Sequence, residues 1–192
     1  MAAQMPASEP WQPVTDYTDA GRRAIEGRNP ELILDWLARD GDDVLDYGCG
    51  PASHLVRLLR ERERHNPMSE SVRVYGYDPQ IDGSERELER RYGLVICREV
   101  LEHLTLKELV ATVRKICSLS TRYVYVTTRF AKAPSHLLSV DTSDDLDPTH
   151  ITMGTKAFLR LLFVLEGFRR RADLERVMDW QNKGRVLVYE RP

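Results

Sequence analysis

Short apolar runs alternate with amphipathic segments along most of the chain, a pattern typical of an alternating α/β fold. The runs that predict strands are rich in apolar, β-branched or aromatic residues and end at glycine, proline or polar residues. They lie at 44–47, 71–77, 93–97 and 122–128. Every residue after Gly93 in the third run is apolar, which predicts a strand that is buried on both faces of a sheet.

Five stretches predict helices, four because apolar residues recur every three or four positions and one, at 84–91, because it is highly charged and begins at Ser84, which can cap it. They lie at 20–38, 51–64, 84–91, 155–166 and after the third strand, where the inward side chains are Leu101, Leu104, Leu109, Val113 and Ile116. The first helix is split at Asn29-Pro30, and its second piece places Leu32, Ile33, Trp36 and Leu37 on one face. The helix 155–166 has Phe158, Leu161, Leu162 and Leu165 on one side. We expect these apolar faces to pack on the sheet.

The C-terminal part predicts an antiparallel hairpin, with strands at 168–177 and 185–190 around the turn-prone residues 179–184. Together with the alternation upstream, it predicts a doubly wound, mainly parallel α/β sheet that ends in this hairpin. Ligand sites in such sheets lie beyond the carboxyl ends of the strands.

Length and composition limit the possible classes of protein. With 192 residues, 42% hydrophobic and 30% charged, the chain predicts one domain at 16–192, preceded by a disordered, proline-containing leader at 1–15. The net charge of −2 gives no overall attraction to nucleic acid or to an anionic membrane. The chain has neither a membrane-spanning apolar stretch nor a signal peptide, so we expect a cytoplasmic protein with no membrane partner. Three cysteines without Cys-x-x-Cys spacing predict neither a disulfide framework nor a metal site.

A glycine turn follows the first strand. Gly48, Cys49 and Gly50 come directly after the acidic Asp46 and before a predicted helix, where amide groups can bind the polar atoms of a ligand. A purely structural turn is the alternative interpretation. The third glycine of a dinucleotide-binding fingerprint would fall at Ser53, so an NAD-dependent enzyme is disfavoured.

Acidic residues also follow the second and third strands. Asp78, at the end of the second strand, can accept two hydrogen bonds from a ribose diol, or Asp78-Pro79 can simply begin a turn. Glu99 follows the third strand and either acts on a substrate or caps the next helix. Glu102 and His103 either face the same cleft or lie on a solvated helix face.

Four blocks in this order resemble those of class I S-adenosylmethionine-dependent methyltransferases. Residues 44–50 are similar to the first motif of that family and residues 75–78 to the second. Residues 92–104 are similar to the strand and turn beside the methionine end of the cofactor, and residues 147–151, followed by a helix ending at 165–168, to a late block. The resemblance implies a Rossmann-like fold and S-adenosyl-L-methionine as the cofactor.

The resemblance also implies roles for individual residues. Asp46, Gly48, Cys49 and Gly50 would hold the methionine and ribose parts of the cofactor, and Asp78 would bind the ribose hydroxyls. The neighbouring Pro79 and Arg98 are included in the predicted cofactor site. The N-terminal Tyr17 and Arg22 are included because that segment can fold over the site, with an arginine pairing with the cofactor carboxylate. A surface helix is the alternative for that segment.

The chain departs from the family pattern in two places. Gly93 stands where family members often have an aspartate. Only 13 residues, 79–91, separate Asp78 from Tyr92, which leaves room for a short helix capped by Ser84 but hardly for another strand. The sheet can therefore be one strand short, and the family's usual adenine contact has no counterpart in the sequence.

His150 and Glu99 are the candidate catalytic residues. An imidazole can accept a proton from a hydroxyl or amine near neutral pH, and His150 follows a long polar loop that can border a substrate pocket. A structural histidine that orders this loop is the alternative. The expected reaction is methyl transfer to an O, N or C nucleophile of a small-molecule acceptor, with nucleic acid and protein acceptors still open. The rival hypothesis is a nucleotide- or S-adenosylmethionine-binding protein without catalysis.

Overall fold

A computed structural model describes residues 30–51, 53, 55–57, 60, 72–131, 149–179 and 184–192. The predicted leader 1–15, the first piece of the predicted N-terminal helix and nearly all of the long polar loop lie outside the described residues. No helix in the described part is long and apolar enough to cross a membrane.

The described strands form one six-stranded sheet in the order β2-β1-β3-β4-β6-β5. The strands are β1 (Asp43–Tyr47), β2 (Arg73–Tyr77), β3 (Tyr92–Arg98), β4 (Ser120–Thr127), β5 (Arg169–Arg170) and β6 (Val186–Glu190). β1 to β4 are parallel to one another, whereas β6 is antiparallel to both β4 and β5. The predicted doubly wound, mainly parallel sheet with an antiparallel C-terminal edge is confirmed.

Helices cover both faces of this sheet. The α-helices are α1 (Pro30–Leu37), α2 (Leu106–Leu119), α3 (Lys156–Leu165) and α4 (Ala172–Met178), with 3-10 helices at Ser84–Glu89 and Leu101–His103. Side chains of α2 and α3 pack in one apolar cluster with Leu45, Val95 and Val124. Side chains of α1, α4 and the helical residues 55–56 pack in another with Val44 and Val74.

β3 lies in the middle of the sheet, as its apolar run predicts. Leu94, Val95, Ile96 and Cys97 are all fully buried, and they alternate between the two apolar clusters. A β-carbon on Gly93 would overlap the carboxylate of Asp42. A larger residue at this departure from the family pattern would therefore require the Asp42 side chain to move.

Two of the predicted helix faces are partly wrong. In α1, Trp36 is half exposed, and Leu34 is buried with Ile33 and Leu37 instead. In α3, Leu161 and Leu165 are exposed, whereas Leu159 and Phe163 are buried. The Phe163 ring stacks on Tyr189 of β6, with 4.2 Å between the ring centroids, and this contact sets the orientation of α3.

The predicted strand 168–177 is mostly wrong. Only Arg169 and Arg170 pair with β6, and the chain then turns into α4. Leu174 and Met178 are four residues apart and both buried, a spacing that suits a helix packed on the sheet. The antiparallel pairing at this edge is correct, but β5 is much shorter than predicted.

The segment between β2 and β3 is described at every residue and contains no strand. A turn at Asp78 and the 3-10 helix Ser84–Glu89 occupy it, so β2 is at the edge of the described sheet. Ser84 does not cap this helix, because Gly83 takes the N-cap position. The Ser84 hydroxyl instead donates to the carbonyl oxygen of Asp78 at 2.7 Å. The described sheet therefore has no strand between β2 and β3 along the chain, which is the place where the sequence indicates that one strand can be missing.

Candidate functional site

Most predicted site residues lie at one edge of the sheet, where the parallel strands have their carboxyl ends. These are Asp46 in β1, Gly48, Cys49 and Gly50 after β1, Asp78 and Pro79 after β2, Arg98 and Glu99 at the end of β3, and His150 before α3. Tyr17 and Arg22 lie outside the described residues. The structure therefore brings together residues from four separate stretches of sequence.

The two glycines of the turn have different surroundings. Both have positive φ angles, 77° at Gly48 and 68° at Gly50, which glycine adopts without strain. A β-carbon on Gly48 would overlap Cγ2 of Val100, whereas one on Gly50 would meet no atom within 4 Å. Gly48 is therefore needed for packing against the segment after β3, and Gly50 borders open space that a ligand can enter.

Asp78 ties the glycine turn to the end of β2. Its Oδ2 accepts a hydrogen bond from the amide of Gly50 at 2.9 Å, and its Oδ1 accepts one from the amide of Gln80 at 3.0 Å. The second bond supports the turn interpretation of Asp78-Pro79. Each carboxylate oxygen retains a lone pair after these bonds, so the same side chain can also accept a hydroxyl.

Asp46 is buried beneath this turn. It is only 3% exposed, and burial raises the pKa of its carboxyl group to about 7, against the opposing charge of Arg98. Asp78 raises it further. A carboxyl group with a pKa near neutrality at the edge of a ligand site can change charge when a ligand arrives.

Cys49 and Pro79 differ in their surroundings beside the glycine turn. The Cys49 side chain lies against β2, where a β-carbon on Gly76 would be 2.9 Å from its Sγ. Burial raises the pKa of the Cys49 thiol to about 12, so it is an unreactive thiol. Pro79 is exposed in the turn. The Cys49 amide donates to the carbonyl oxygen of Tyr77 at 3.1 Å, so both the amide and the side chain of Cys49 hold the turn against β2.

Glu99 joins the ends of three strands. Its φ angle is 51°, in the left-handed region, and its amide donates to the carbonyl oxygen of Thr127 at 2.8 Å. Its Oε2 lies 3.9 Å from Nε of Arg129 and 3.8 Å from a guanidinium nitrogen of Arg185. The predicted helix cap is wrong, because Thr105 caps α2 with a hydroxyl that accepts from the Glu108 amide.

Glu102 is fully buried, so a solvated helix face is wrong for this residue. Its Oε2 accepts a hydrogen bond from the Thr128 hydroxyl at 2.8 Å. Its backbone carbonyl accepts from the amides of Ile151 at 2.9 Å and Thr152 at 3.1 Å, which fixes the segment before α3 against the end of β3. Burial, assisted by the charge of Glu99, raises the pKa of the Glu102 carboxyl to about 8.

His103 and His150 meet beside Glu102. Their rings are edge to face with 4.8 Å between centroids, and His150 is 7% exposed. Nδ1 of His103 lies 2.8 Å from the Thr149 hydroxyl and 3.3 Å from the Thr149 carbonyl oxygen. The sequence indicates that Glu102 and His103 can face the cleft, because this Glu-His pair follows the third strand. It gives no signal for Thr128, Arg129 and Arg185, which the fold brings to the same place from other strands.

A cavity elsewhere is unrelated to these residues. It has a volume of about 630 Å³ and lies on the outer edge of β2, between Tyr75, Gly76 and the charged side chains of Arg60, Arg86 and Arg90. None of the predicted site residues lines it. The site is therefore defined by the strand ends and the glycine turn, not by the size of a cavity.

Comparisons with known proteins agree with this geometry. A family model described as a methyltransferase domain matches residues 20–171. None of the curated proteins compared with the chain matches it by sequence.

Several solved structures share the fold at low sequence identity. One is magnesium protoporphyrin IX methyltransferase from Synechocystis PCC 6803 with bound SAH, which is 17% identical, with a TM-score of 0.53, over 95% of this chain and 90% of that one. Another is a protein described as a methyltransferase, in complex with the Trm112 methyltransferase activator of Haloferax volcanii. It is 16% identical, with a TM-score of 0.59, over 91% of this chain and 93% of that one.

Proposed function

We propose that this chain, which belongs to the methyltransferase domain family and is a class I S-adenosylmethionine-dependent methyltransferase, methylates an O, N or C nucleophile of a small molecule. The observation that carries the proposal is the turn after β1. Gly50 leaves open space there, and the Asp78 carboxylate lies 2.9 Å from its amide. A ligand with a ribose diol and a polar amino-acid end fits such a turn.

The proposed cofactor contacts follow from the surroundings of each residue. Asp78 accepts the ribose hydroxyls, and the backbone from Gly48 to Gly50 faces the ribose and methionine parts. When it is ionised, the Asp46 carboxylate places a negative charge beneath the turn, and the positive charge of Arg98 balances it. Tyr17 and Arg22 remain proposed contacts to the methionine end.

The protein's part in the reaction is mainly alignment. S-adenosylmethionine supplies a methyl group on a positively charged sulfur, which leaves as a neutral thioether. The chain has to place the acceptor atom in line with that methyl group and exclude water, which can supply a large part of the rate enhancement. The proton that the acceptor loses goes to the cluster beside β3, where His150 and Glu99 are the candidate proton acceptors. Glu99 already has two guanidinium groups beside it, which suits a positioning role. This favours His150 over Glu99 as the proton acceptor.

The acceptor class rests on charge. The net charge of −2 gives no overall attraction to a nucleic acid, whose binding is dominated by phosphate contacts. This observation supports a small molecule over tRNA.

Calorimetry with S-adenosylmethionine and S-adenosylhomocysteine tests the proposed cofactor site. We expect both to bind with one ligand per chain, and Asp78→Ala to weaken both at least about tenfold, because the hydrogen bonds to the ribose are lost. Asp82→Ala is the matched control, since Asp82 is an exposed acid in the same segment. Wild-type affinity in Asp78→Ala would contradict the assignment of the ribose contact.

A turnover assay separates this proposal from the rival of cofactor binding without catalysis, which the short segment between β2 and β3 favours. S-adenosylhomocysteine release is measured over a panel of phenols, amines and carbon acids, with a tRNA and a protein fraction included. Release with a small molecule supports the proposal. Release with only a macromolecule overturns the acceptor class, and binding without any release supports the rival.

A further inference from the structure

Three side chains with metal-binding atoms converge at the end of β3. Glu102, His103 and His150 each offer one ligand atom, and these three atoms lie within 4.8 Å of one another. The sequence predicts no metal site, because the cysteine spacing gives no indication of one. This group contains no cysteine and comes from two segments separated by 46 residues of chain.

The Glu102 carboxylate supplies an independent indication of a ligand. The residue is 0% exposed, and its Oε1 has no hydrogen-bond partner, although Oε2 is bound by Thr128. Burying a carboxylate oxygen without a partner is unfavourable, and such groups are usually paired or bound to a metal. This Oε1 atom of Glu102 belongs to the same cluster as the two imidazoles.

Thr149 orients the His103 ring in the way that metal-bound histidines require. Nδ1 of His103 lies 2.8 Å from the Thr149 hydroxyl and 3.3 Å from the Thr149 carbonyl oxygen. Histidines that bind metals generally have one ring nitrogen held by a bond to a neighbouring polar group. Thr149 therefore fixes the orientation of the His103 ring within the cluster.

We propose that Glu102, His103 and His150 bind a divalent transition-metal ion of the Zn²⁺ class. Two imidazoles and one carboxylate favour zinc, cobalt or manganese over magnesium and calcium, which prefer sites made entirely of oxygen ligands. Ligand atoms about 2.1 Å from a tetrahedral ion lie about 3.4 Å from one another. The cluster therefore has to contract on binding, by rotation of side chains that already face one another.

The surrounding charges allow a cation at this point. The groups that face the cluster are Glu99 and, beyond it, Arg129 and Arg185, whose guanidinium groups lie nearest to the Glu99 carboxylate. Glu99 and Glu102 together carry two negative charges when ionised. A divalent ion held by Glu102 is thus partly balanced by Glu99, which the two arginines hold in place.

The site would have three protein ligands and one open position. That arrangement is typical of catalytic zinc, where a substrate or water oxygen takes the fourth position and loses its proton more readily. The inference rests on the proposed function in one respect, since it assigns the open position to an oxygen of the methyl acceptor. On this basis His150 would be a metal ligand in place of the proton acceptor considered above, and the acceptor atom would be oxygen. The proton of that oxygen would pass to bulk water when the oxygen binds the metal, before the methyl group is transferred.

Metal binding is tested on the full chain after treatment with a chelator and gel filtration. Co²⁺ is titrated while visible absorption is recorded, and Zn²⁺ competition gives the affinity. We expect one equivalent of Co²⁺ with an intense, tetrahedral-type spectrum. We expect His150→Ala and Glu102→Gln each to weaken Co²⁺ binding at least about tenfold. Mutating a residue that only orients a metal ligand typically lowers metal affinity by about 10–100-fold, and removing the ligand itself should lower it at least as much.

Two controls make the result decisive. Glu85→Gln removes an exposed carboxylate near the same edge and should leave Co²⁺ affinity unchanged. S-adenosylhomocysteine affinity reports folding of the variants and the proposed cofactor site separately from the metal. No stoichiometric Co²⁺ binding by the wild type, or equal binding by the wild type, His150→Ala and Glu102→Gln, overturns the metal site even if the cofactor binds.

Discussion

Gly48 and Gly50 show how two identical residues in one motif can have different roles. Gly48 has no room for a side chain because Val100 packs against it, whereas Gly50 has open space around its α-carbon. The sequence alone groups them in a single motif. The structure assigns Gly48 to packing, and the open space beside Gly50 is the basis of its proposed contact with the ligand.

Substitution by alanine should separate these roles. Gly48→Ala should lower the free energy of unfolding by about 2–4 kcal/mol, since it combines a left-handed backbone with an overlap on Val100. Gly50→Ala should cost only about 1–2 kcal/mol from the backbone but weaken cofactor binding. Urea unfolding and calorimetry measure the two effects. Adding Val100→Ala to Gly48→Ala should recover part of the loss, and no recovery would argue against the overlap.

The buried carboxyl of Asp46 should make stability depend on pH. In the unfolded chain an aspartate has a pKa of about 3.9, whereas burial raises the pKa of Asp46 to about 7 in the folded protein. Between these values the folded state holds a proton that the unfolded state has released, so stability falls as pH rises through this window. Glu102, with its pKa raised to about 8, acts in the same direction.

Urea unfolding of the cofactor-free protein from pH 5 to pH 8 measures this dependence. Asp46→Asn should flatten it, because the variant removes one of the two groups. Asp173→Asn is a suitable control, since its partner Arg171 lowers the pKa of Asp173 to about 2, below the measured window. An unchanged slope in Asp46→Asn would show that this carboxyl does not titrate in the window.

At the scale of elements, α4 depends on one buried carboxylate. Glu175 is 5% exposed, and its Oε2 accepts hydrogen bonds from the Arg170 guanidinium at 2.9 Å and 2.5 Å. Arg160 of α3 approaches the same oxygen at 3.7 Å. The carboxylate thereby joins α4 to β5 and α3.

Glu175→Ala should lower the free energy of unfolding by about 2 kcal/mol. Removing one partner of a fully buried ion pair costs about 3–5 kcal/mol, and the partial exposure of Arg170 reduces that value. Asp173→Ala changes an exposed acid on the same helix and should leave stability close to that of the wild type. Thermal and urea unfolding of both variants check this, and equal stabilities would remove Glu175 as the anchor of α4.

The elements also show what the sequence can and cannot predict. β3 is predictable because full burial requires an apolar residue at every position from Leu94 to Cys97. The α3 face is not, since eight of the ten residues of that helix are apolar, and the inward side is the one where Phe163 stacks on Tyr189. β5 is overpredicted because a run of arginines before α4 has no periodicity of its own.

At the scale of the whole molecule, stability should decrease from the centre of the sheet to its edges. β3 and β4 are buried on both faces, whereas β5 is a two-residue edge strand with exposed side chains. Amide hydrogen exchange should therefore be slowest in β3 and β4 and fast in β5. Saturating S-adenosylhomocysteine should add protection at 47–50 and 78–80. Protection confined to the outer edge of β2 would instead place the ligand in the cavity there.

The candidate site is predictable only where it is local in sequence. Asp46, Gly48 and Gly50 share one short segment, and Asp78 follows a recognisable strand. Arg185 reaches Glu99 because β6 runs antiparallel to β4, so its beginning lies at the edge where β4 ends. The cluster of Glu102, His103 and His150 likewise depends on a long-range contact that no single stretch of sequence contains.

Glu99 has a left-handed backbone conformation, in which a glycine would be more stable than a glutamate. A residue with a β-carbon costs about 1–2 kcal/mol in the left-handed region, whereas glycine adopts that region readily at a smaller entropic cost, about 0.5–1 kcal/mol. Glu99→Gly should therefore match or exceed the wild type in resistance to urea while losing the carboxylate that faces Arg129 and Arg185. A variant that is more stable to urea but slower in turnover would identify Glu99 as a residue that lowers stability and supports catalysis.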